Sequence, residues 1–449
     1  MHTVAYMIRE GRDDTTRRRY LRRAAVGAVV GVAGCLDIGG LVNDGESDTG
    51  DGGGSGDGTE TVAPDTETAT ETPESGWTGT DAGPGAGTST PALSSIQGTY
   101  RAYRAGPERR SFAPGAGAPA DEARKALTLP LTASVYQPVV AGSTLYLARQ
   151  SHEPGEPTVE AFDLASQTWL GGRDLNVPAN GPPAVTDDLL FVATPDGTYA
   201  LTPDGTIEWS TSEGASSGFV PTATDDRVFV VGDGDLTTLT HDGSVEWTIP
   251  LGDDPLAAPA ADESTVYLPL PRGDNATLVA FDAADGTSRW RRSVTIDRGS
   301  PPVVAGETVY TASELVQGGV TAVSTADGNS RWEGTARPSR PPAVTADYVV
   351  SAGRGLVRAY ATDGSTAWEA DVVDDILAGP VATDDTVYVG IGTQDLSVLL
   401  AFDIASGETR WSLPFDRPID APLAILDGGL VVVTREGSGV GRVHLVTEV

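Results

Sequence analysis

Short apolar runs recur along the chain with almost no polar residue inside them. They read TLYLA from Thr144, LLFVA from Leu189, RVFVV from Arg227, TVYLP from Thr265, TVYTA from Thr308, YVVSA from Tyr348, TVYVG from Thr386 and LVVVT from Leu430. Brief runs rich in β-branched and aromatic side chains predict strands covered on both faces. A proline opens the apolar stretch before each run, at Pro138, Pro183, Pro221, Pro259, Pro302, Pro342, Pro380 and Pro422. Between proline and run sits a tight turn, often acidic, such as Thr186-Asp187-Asp188. After the run come a loop of variable length, a third apolar segment such as Leu278-Val279-Ala280-Phe281, an Asp-Gly or Ser-Gly turn, and a last segment bearing a tryptophan. Glycine suits that turn because hairpin turns require positive φ, which glycine adopts without steric cost.

Four strands every forty or so residues are the signature of a β-propeller blade. Eight proline-led units therefore predict an all-β, eight-bladed propeller. The repeat tryptophans are Trp169, Trp209, Trp247, Trp290, Trp332, Trp368 and Trp411, seven for eight units, and the unit from Pro422 ends soon after Val443-His444-Leu445-Val446 without a fourth strand. The segment from Glu122 to Leu129, just before Pro138, is placed to supply that strand, with Leu127 or Leu129 where the other units have tryptophan. An N-terminal strand would thus close the ring and cover an exposed sheet edge.

Two copies of the unit carry a sharper pattern: Ala280, Asp282, Gly286, Trp290 and Ala401, Asp403, Gly407, Trp411. They resemble the tryptophan-docking repeat of the pyrroloquinoline quinone dehydrogenase superfamily, Ala-x-Asp-x-x-Thr-Gly-x-x-x-Trp, with Asp285 and Ser406 in place of the threonine. The resemblance covers the propeller, residues 97–449. It implies that all seven repeat tryptophans pack flat between neighbouring blades as structural groups. A WD-type propeller is disfavoured, because no repeat tryptophan is followed by the partner residue of that pattern.

The first 34 residues read as an address. Arg17 and Arg18, followed by Tyr20 and Leu21, resemble a twin-arginine export signal. The apolar stretch from Ala24 to Gly34 is far short of the roughly 20 residues that span a bilayer, and suits a signal peptide. It ends in Val32-Ala33-Gly34-Cys35, similar to a lipobox, which implies cleavage before Cys35 and lipidation of its thiol. Residues 35–96 are rich in Gly, Thr, Ser and Pro, with twelve carboxylates and no Lys or Arg after the cysteine. Such a segment cannot offset its ordering entropy and is expected to be a disordered spacer, with Trp77 outside any core. The expectation is a lipid-anchored protein on the extracytoplasmic face of the cell membrane.

Composition narrows the function. Asp and Glu number 63 against 30 Lys and Arg, a net charge of -33, and Lys125 is the only lysine. This balance fits a halophilic protein and disfavours nucleic acid as a partner. One cysteine, Cys35, excludes intramolecular disulfides and multi-cysteine metal sites. The four histidines, His2, His152, His241 and His444, lack the short spacing of zinc or haem ligands.

The superfamily resemblance implies a quinone, a calcium ion and a carboxylate base, often with a vicinal disulfide or a haem. Cys35 alone supplies neither of the last two, and the acidic residues fall mostly in turns such as Asp225-Asp226 and Asp384-Asp385. The expectation is no catalytic residue, no cofactor and no metal site. Within the superfamily the chain is similar to the propeller lipoproteins of the outer-membrane barrel-assembly machinery, which bind proteins and no quinone. That implies a monomeric, non-catalytic binding or scaffold role for a protein, another macromolecule or a glycan. The alternative is a pyrroloquinoline quinone-dependent sugar or alcohol dehydrogenase, and a passive envelope component stays open. Hairpin loops such as Arg149 to Thr158, Ser313 to Gly319 and Gly392 to Ser397 should share the binding face with the links between blades. The sequon Asn275-Ala276-Thr277 lies in a further such loop, which makes Asn275 a candidate N-glycan site.

Overall fold

The computed structural model describes residues 76–78, 98 and 100–449, apart from 216–217, 274, 316–318 and 437–439. Arg17, Arg18 and Cys35 lie outside the described residues. Among the described residues thirty-two strands, numbered β1 to β32 in chain order, form eight four-stranded sheets, every pairing of these strands antiparallel. In seven blades the strands follow one another directly: the first comprises β2 (Val139–Ala141), β3 (Thr144–Ala148), β4 (Val159–Asp163) and β5 (Thr168–Arg173). The second strands and most residues of the third strands are buried, because neighbouring blades cover both their faces. The outermost strands alternate toward solvent. Prolines precede or enter the innermost strands, where a missing N–H costs nothing because that edge has no strand partner.

The eighth blade closes the ring as expected. Its β30 (Ala424–Leu426), β31 (Gly429–Glu436) and β32 (Val440–Glu448) take their outer strand from β1 (Ala123–Pro130), which pairs from Ala123↔Glu448 to Pro130↔Arg442. Each blade carries a one-residue β-bulge just before the docking position of its outer strand, between Ala280 and Phe281 against Trp290 for example, and between Ala401 and Phe402 against Trp411. In the eighth blade the same irregularity places Leu127 opposite Leu445, so Leu127 holds the docking position, and it is buried.

Six repeat tryptophans share one geometry. The indole Nε1–H donates to a carbonyl of the next blade's last turn: Trp209 to His241, Trp247 to Ala283, Trp290 to Thr325, Trp332 to Thr362 and Trp368 to Ile404. Trp411 reaches Pro119, just ahead of β1, at 3.0 Å. Glycine is required beneath the ring. At Gly286, with φ of 72°, an added Cβ would come 2.9 Å from the Trp247 indole.

Trp169 departs from the expectation. The residue opposite Ala161, in the docking register, is Gly171, while Trp169 pairs with Phe162 and packs edge-on against that ring at 5.2 Å within its own blade. The turn itself has the usual length, since Phe162 faces Trp169 seven positions on as Phe281 faces Ser288 and Phe402 faces Thr409; the tryptophan stands two positions ahead of the docking register. The vacant slot is filled by Trp77. Its indole lies over Gly205 of the second blade and donates to Pro203 O at 3.0 Å. The expectation that Trp77 lies outside the core is therefore corrected: it packs against the cluster of the first two blades.

Candidate functional site

Innermost propeller strands present a row of unpaired backbone groups to the central channel, and a buried N–H needs a partner. Residues 98–113 supply several. Carbonyls of Tyr100, Arg101, Pro107, Glu108, Arg110 and Ser111 accept the N–H groups of Val140, Val185, Ala261, Val304, Val344 and Ala382, one from each of six blades. The segment turns tightly to do so: Arg104, Ala105, Arg109 and Ser111 all have positive φ. Non-glycine residues accept that conformation only when surrounding contacts over-determine it.

Two fully buried arginines fix the segment. Arg109 Nε donates to Pro259 O at 2.7 Å and Nη2 to Thr222 Oγ1 at 2.6 Å, with the guanidinium over the Tyr103 ring. Arg104 Nη2 donates to Pro341 O and Pro342 O, each at 2.8 Å. Neither has a carboxylate partner among the described residues, so carbonyl dipoles carry the burden of solvating the charge. Burial accordingly lowers the Arg109 pKa to about 10 and that of Arg104 in the same direction. The buried Tyr100 hydroxyl is pushed up to about 12 by desolvation. Gln137 bridges the Arg104 backbone to Leu423 O of the eighth blade. The central channel is thus filled by the chain itself.

Above this plug, on the face of the links between blades, lies a pocket of about 240 Å³ floored by Tyr103 and lined by Arg298, Ser300, Arg340, Asp297 and Asp420 among others. Both carboxylates are engaged: Asp420 pairs with Arg435, and Asp297 accepts Ser313 Oγ and the Glu314 N–H. Among the described residues the Arg340 guanidinium donates to the carbonyls of Ser339 and Leu377. Ser300 Oγ is buried without a hydrogen-bond partner. The lining sets Arg298 and Arg340 against Asp297 and Asp420, and a guanidinium beside a spare hydroxyl suits a carbonyl-bearing group. The Asp297 bonds also show that the Ser313 hairpin shares this face with the links.

A calcium-bound quinone would need converging oxygen ligands and a carboxylate base. No group of three His, Cys, Asp or Glu side chains that could hold a metal comes together among the described residues, and the buried arginines occupy the axis beneath the pocket. The residues do not fit such a group. The three described histidines are in ordinary structural contacts: His152 with Asp174 at 2.7 Å, His241 with Thr224 O, and His444 between Thr128 and Thr434, while His2 lies outside the described residues. Asn275 is exposed at the first residue of a strand (Asn275–Asp282), at the hairpin tip rather than in an extended loop. Sequence reasoning missed Tyr100, Arg104, Arg109 and Ser300. The signal within reach was YRAYRAGPERR, a dense cluster of arginines in a strongly acidic chain.

Comparison with known proteins agrees with this geometry. A family model described as outer membrane protein assembly factor BamB matches residues 155–274, 250–353 and 353–444. No curated protein matches the chain. Among solved structures, BamB from Moraxella catarrhalis is 16% identical with a TM-score of 0.56, covering 72% of this chain and 100% of its own. The quinohemoprotein alcohol dehydrogenase ADHIIG from Pseudomonas putida HK5 is 12% identical with a TM-score of 0.61, covering 78% and 80%. The computationally designed Ika8 protein is 12% identical with a TM-score of 0.54, covering 74% and 100%. At these identities the similarity is one of fold.

Proposed function

Because the chain belongs to the family of the outer membrane protein assembly factor BamB, we propose that it is a non-catalytic binding or scaffold protein. Its link face would hold a macromolecule or glycan at the cell surface, with a lipid on Cys35 as the anchor after export through Arg17 and Arg18. The observation that carries the reading is the filled channel. Arg104 and Arg109 take the axial space, and what remains open is a pocket of mixed charge whose carboxylates, Asp297 and Asp420, are both engaged, with no metal-binding cluster among the described residues. No helix among the described residues is long and apolar enough to cross a membrane.

A photoreactive residue placed at Arg298 or Arg340 tests this in intact cells, with one at Asp226, in an exposed turn between the first two strands of its blade, as control. A discrete adduct from the link-face positions alone supports the proposal. Adducts from every position, or none, would count against it. Turnover of alcohols or sugars by the purified protein with pyrroloquinoline quinone and calcium would favour the oxidoreductase alternative. Replacing Cys35 with Ser should release the protein from the membrane fraction.

A further inference from the structure

The junction between the first and second blades differs from every other. Elsewhere the docking side chain belongs to the outer strand of the blade itself; here Gly171 holds that position and offers none. The strand is nonetheless complete, paired from Val159↔Arg173 to Asp163↔Thr168. Gly76–Thr78 therefore adds to a finished blade instead of finishing it. Its contacts are those of a bound peptide. Gly76 N donates to Thr206 Oγ1 at 3.0 Å, Trp77 N to Asp204 O at 2.7 Å and Trp77 Nε1 to Pro203 O at 3.0 Å. Thr78 forms a two-way backbone pair with Gly172, at 3.1 and 3.2 Å, and its hydroxyl donates to the same carbonyl. After a bend at Gly76, Thr78 thus bridges to the outer edge of β5 while the Trp77 side chain fills a pocket, the combination by which strand-adding peptides are recognised.

The pocket is shaped for an indole. A Cβ on Gly171 would stand 2.8 Å from Trp77 Cβ, and one on Gly205 would stand 2.5 Å from its ring. Tyr146 flanks the indole, with ring centroids 6.3 Å apart. Across the surrounding spacer, residues 63–90, Trp77 is the sole aromatic residue among Gly, Thr, Ser, Pro, Ala and acids. Only this side chain can repay the entropy of ordering the segment, so a single anchor holds it.

We infer that the slot between the first and second blades is an exchangeable binding site for an extended peptide centred on one tryptophan, and that Gly76–Thr78 is its built-in ligand. The inference does not depend on what the link face binds. The internal segment competes with any external one, and a site that is open a tenth of the time binds about tenfold more weakly than an open one. A partner presenting a tryptophan in an extended segment would displace the spacer and so detach it from the ring.

Fluorescence anisotropy with a labelled peptide of the sequence ESGWTGT, residues 74–80, tests this on the full-length chain. The Trp77→Ala variant should bind the peptide at least about tenfold more tightly than the parent, and a peptide with alanine for tryptophan should bind neither. Trp77→Phe keeps a ring in the slot and should fall between the two, which covers the case in which Trp77→Ala does not fold. Equal affinity across the three proteins, no binding to any of them, or equal binding of the alanine peptide would overturn the inference.

Discussion

Two tryptophans that look alike along the chain should behave differently when removed. Trp368 is 7% exposed, lies over Gly407, stacks near Phe402 and donates to Ile404 O at 2.7 Å. Burying roughly 200 Å² of aromatic surface is worth about 5 kcal/mol at ~25 cal/mol per Å². The unfolded chain already hides part of that area, so the expected cost of Trp368→Ala is about 3–5 kcal/mol. Trp169 is only partly buried and makes one edge-on ring contact within its own blade. Its truncation should cost about 1–2 kcal/mol, the aromatic pair plus a fraction of the area. Urea titrations at fixed potassium chloride, followed by circular dichroism and fluorescence, measure both, provided the probes report one transition. A loss for Trp169→Ala as large as that for Trp368→Ala would refute the assignment of Gly171 to the docking register.

Acid should open the ring at its seam. Burial, with Lys125 and Arg442 nearby and Asp416 opposing, lowers the His444 pKa from 6.5 to about 4, so the unfolded chain binds the proton first. Stability from neutral His444 is complete above pH 6.5 and is lost as pH falls toward 4, by about 3 kcal/mol; a His444→Gln variant should lose that step in melts run across the window. Deleting residues 99–131 removes both β1 and the channel plug, and should lower the melting temperature and cooperativity of the whole ring, whereas deleting 40–70, which spares Trp77, should not. Thermal stability should rise between low and multimolar potassium chloride, because salt screens repulsion within a chain of net charge -33; equal melting temperatures would contradict that.

The amino-acid sequence by itself determined the architecture because each blade is a local pattern. Apolar runs such as TVYVG are buried on both faces, the glycine turn at Gly407 closes a hairpin, and the four-strand order recurs in seven blades. The clasp was legible too, since a unit lacking its fourth strand and a spare segment from Glu122 to Leu129 account for each other. Even the exception at Trp169 left a trace, in the short spacing from Phe162. Only the tertiary structure decided that Trp77 fills the gap and that Arg104 and Arg109 fill the channel. These contacts join residues more than a hundred positions apart, as in Trp77 to Pro203 and Arg104 to Pro341. Their chemistry is the same in a solvated spacer as in a core: an indole needs an apolar slot and a carbonyl, and a guanidinium needs acceptors. The slot and the acceptors exist only after the blades have closed around the axis, so no period along the chain could record them.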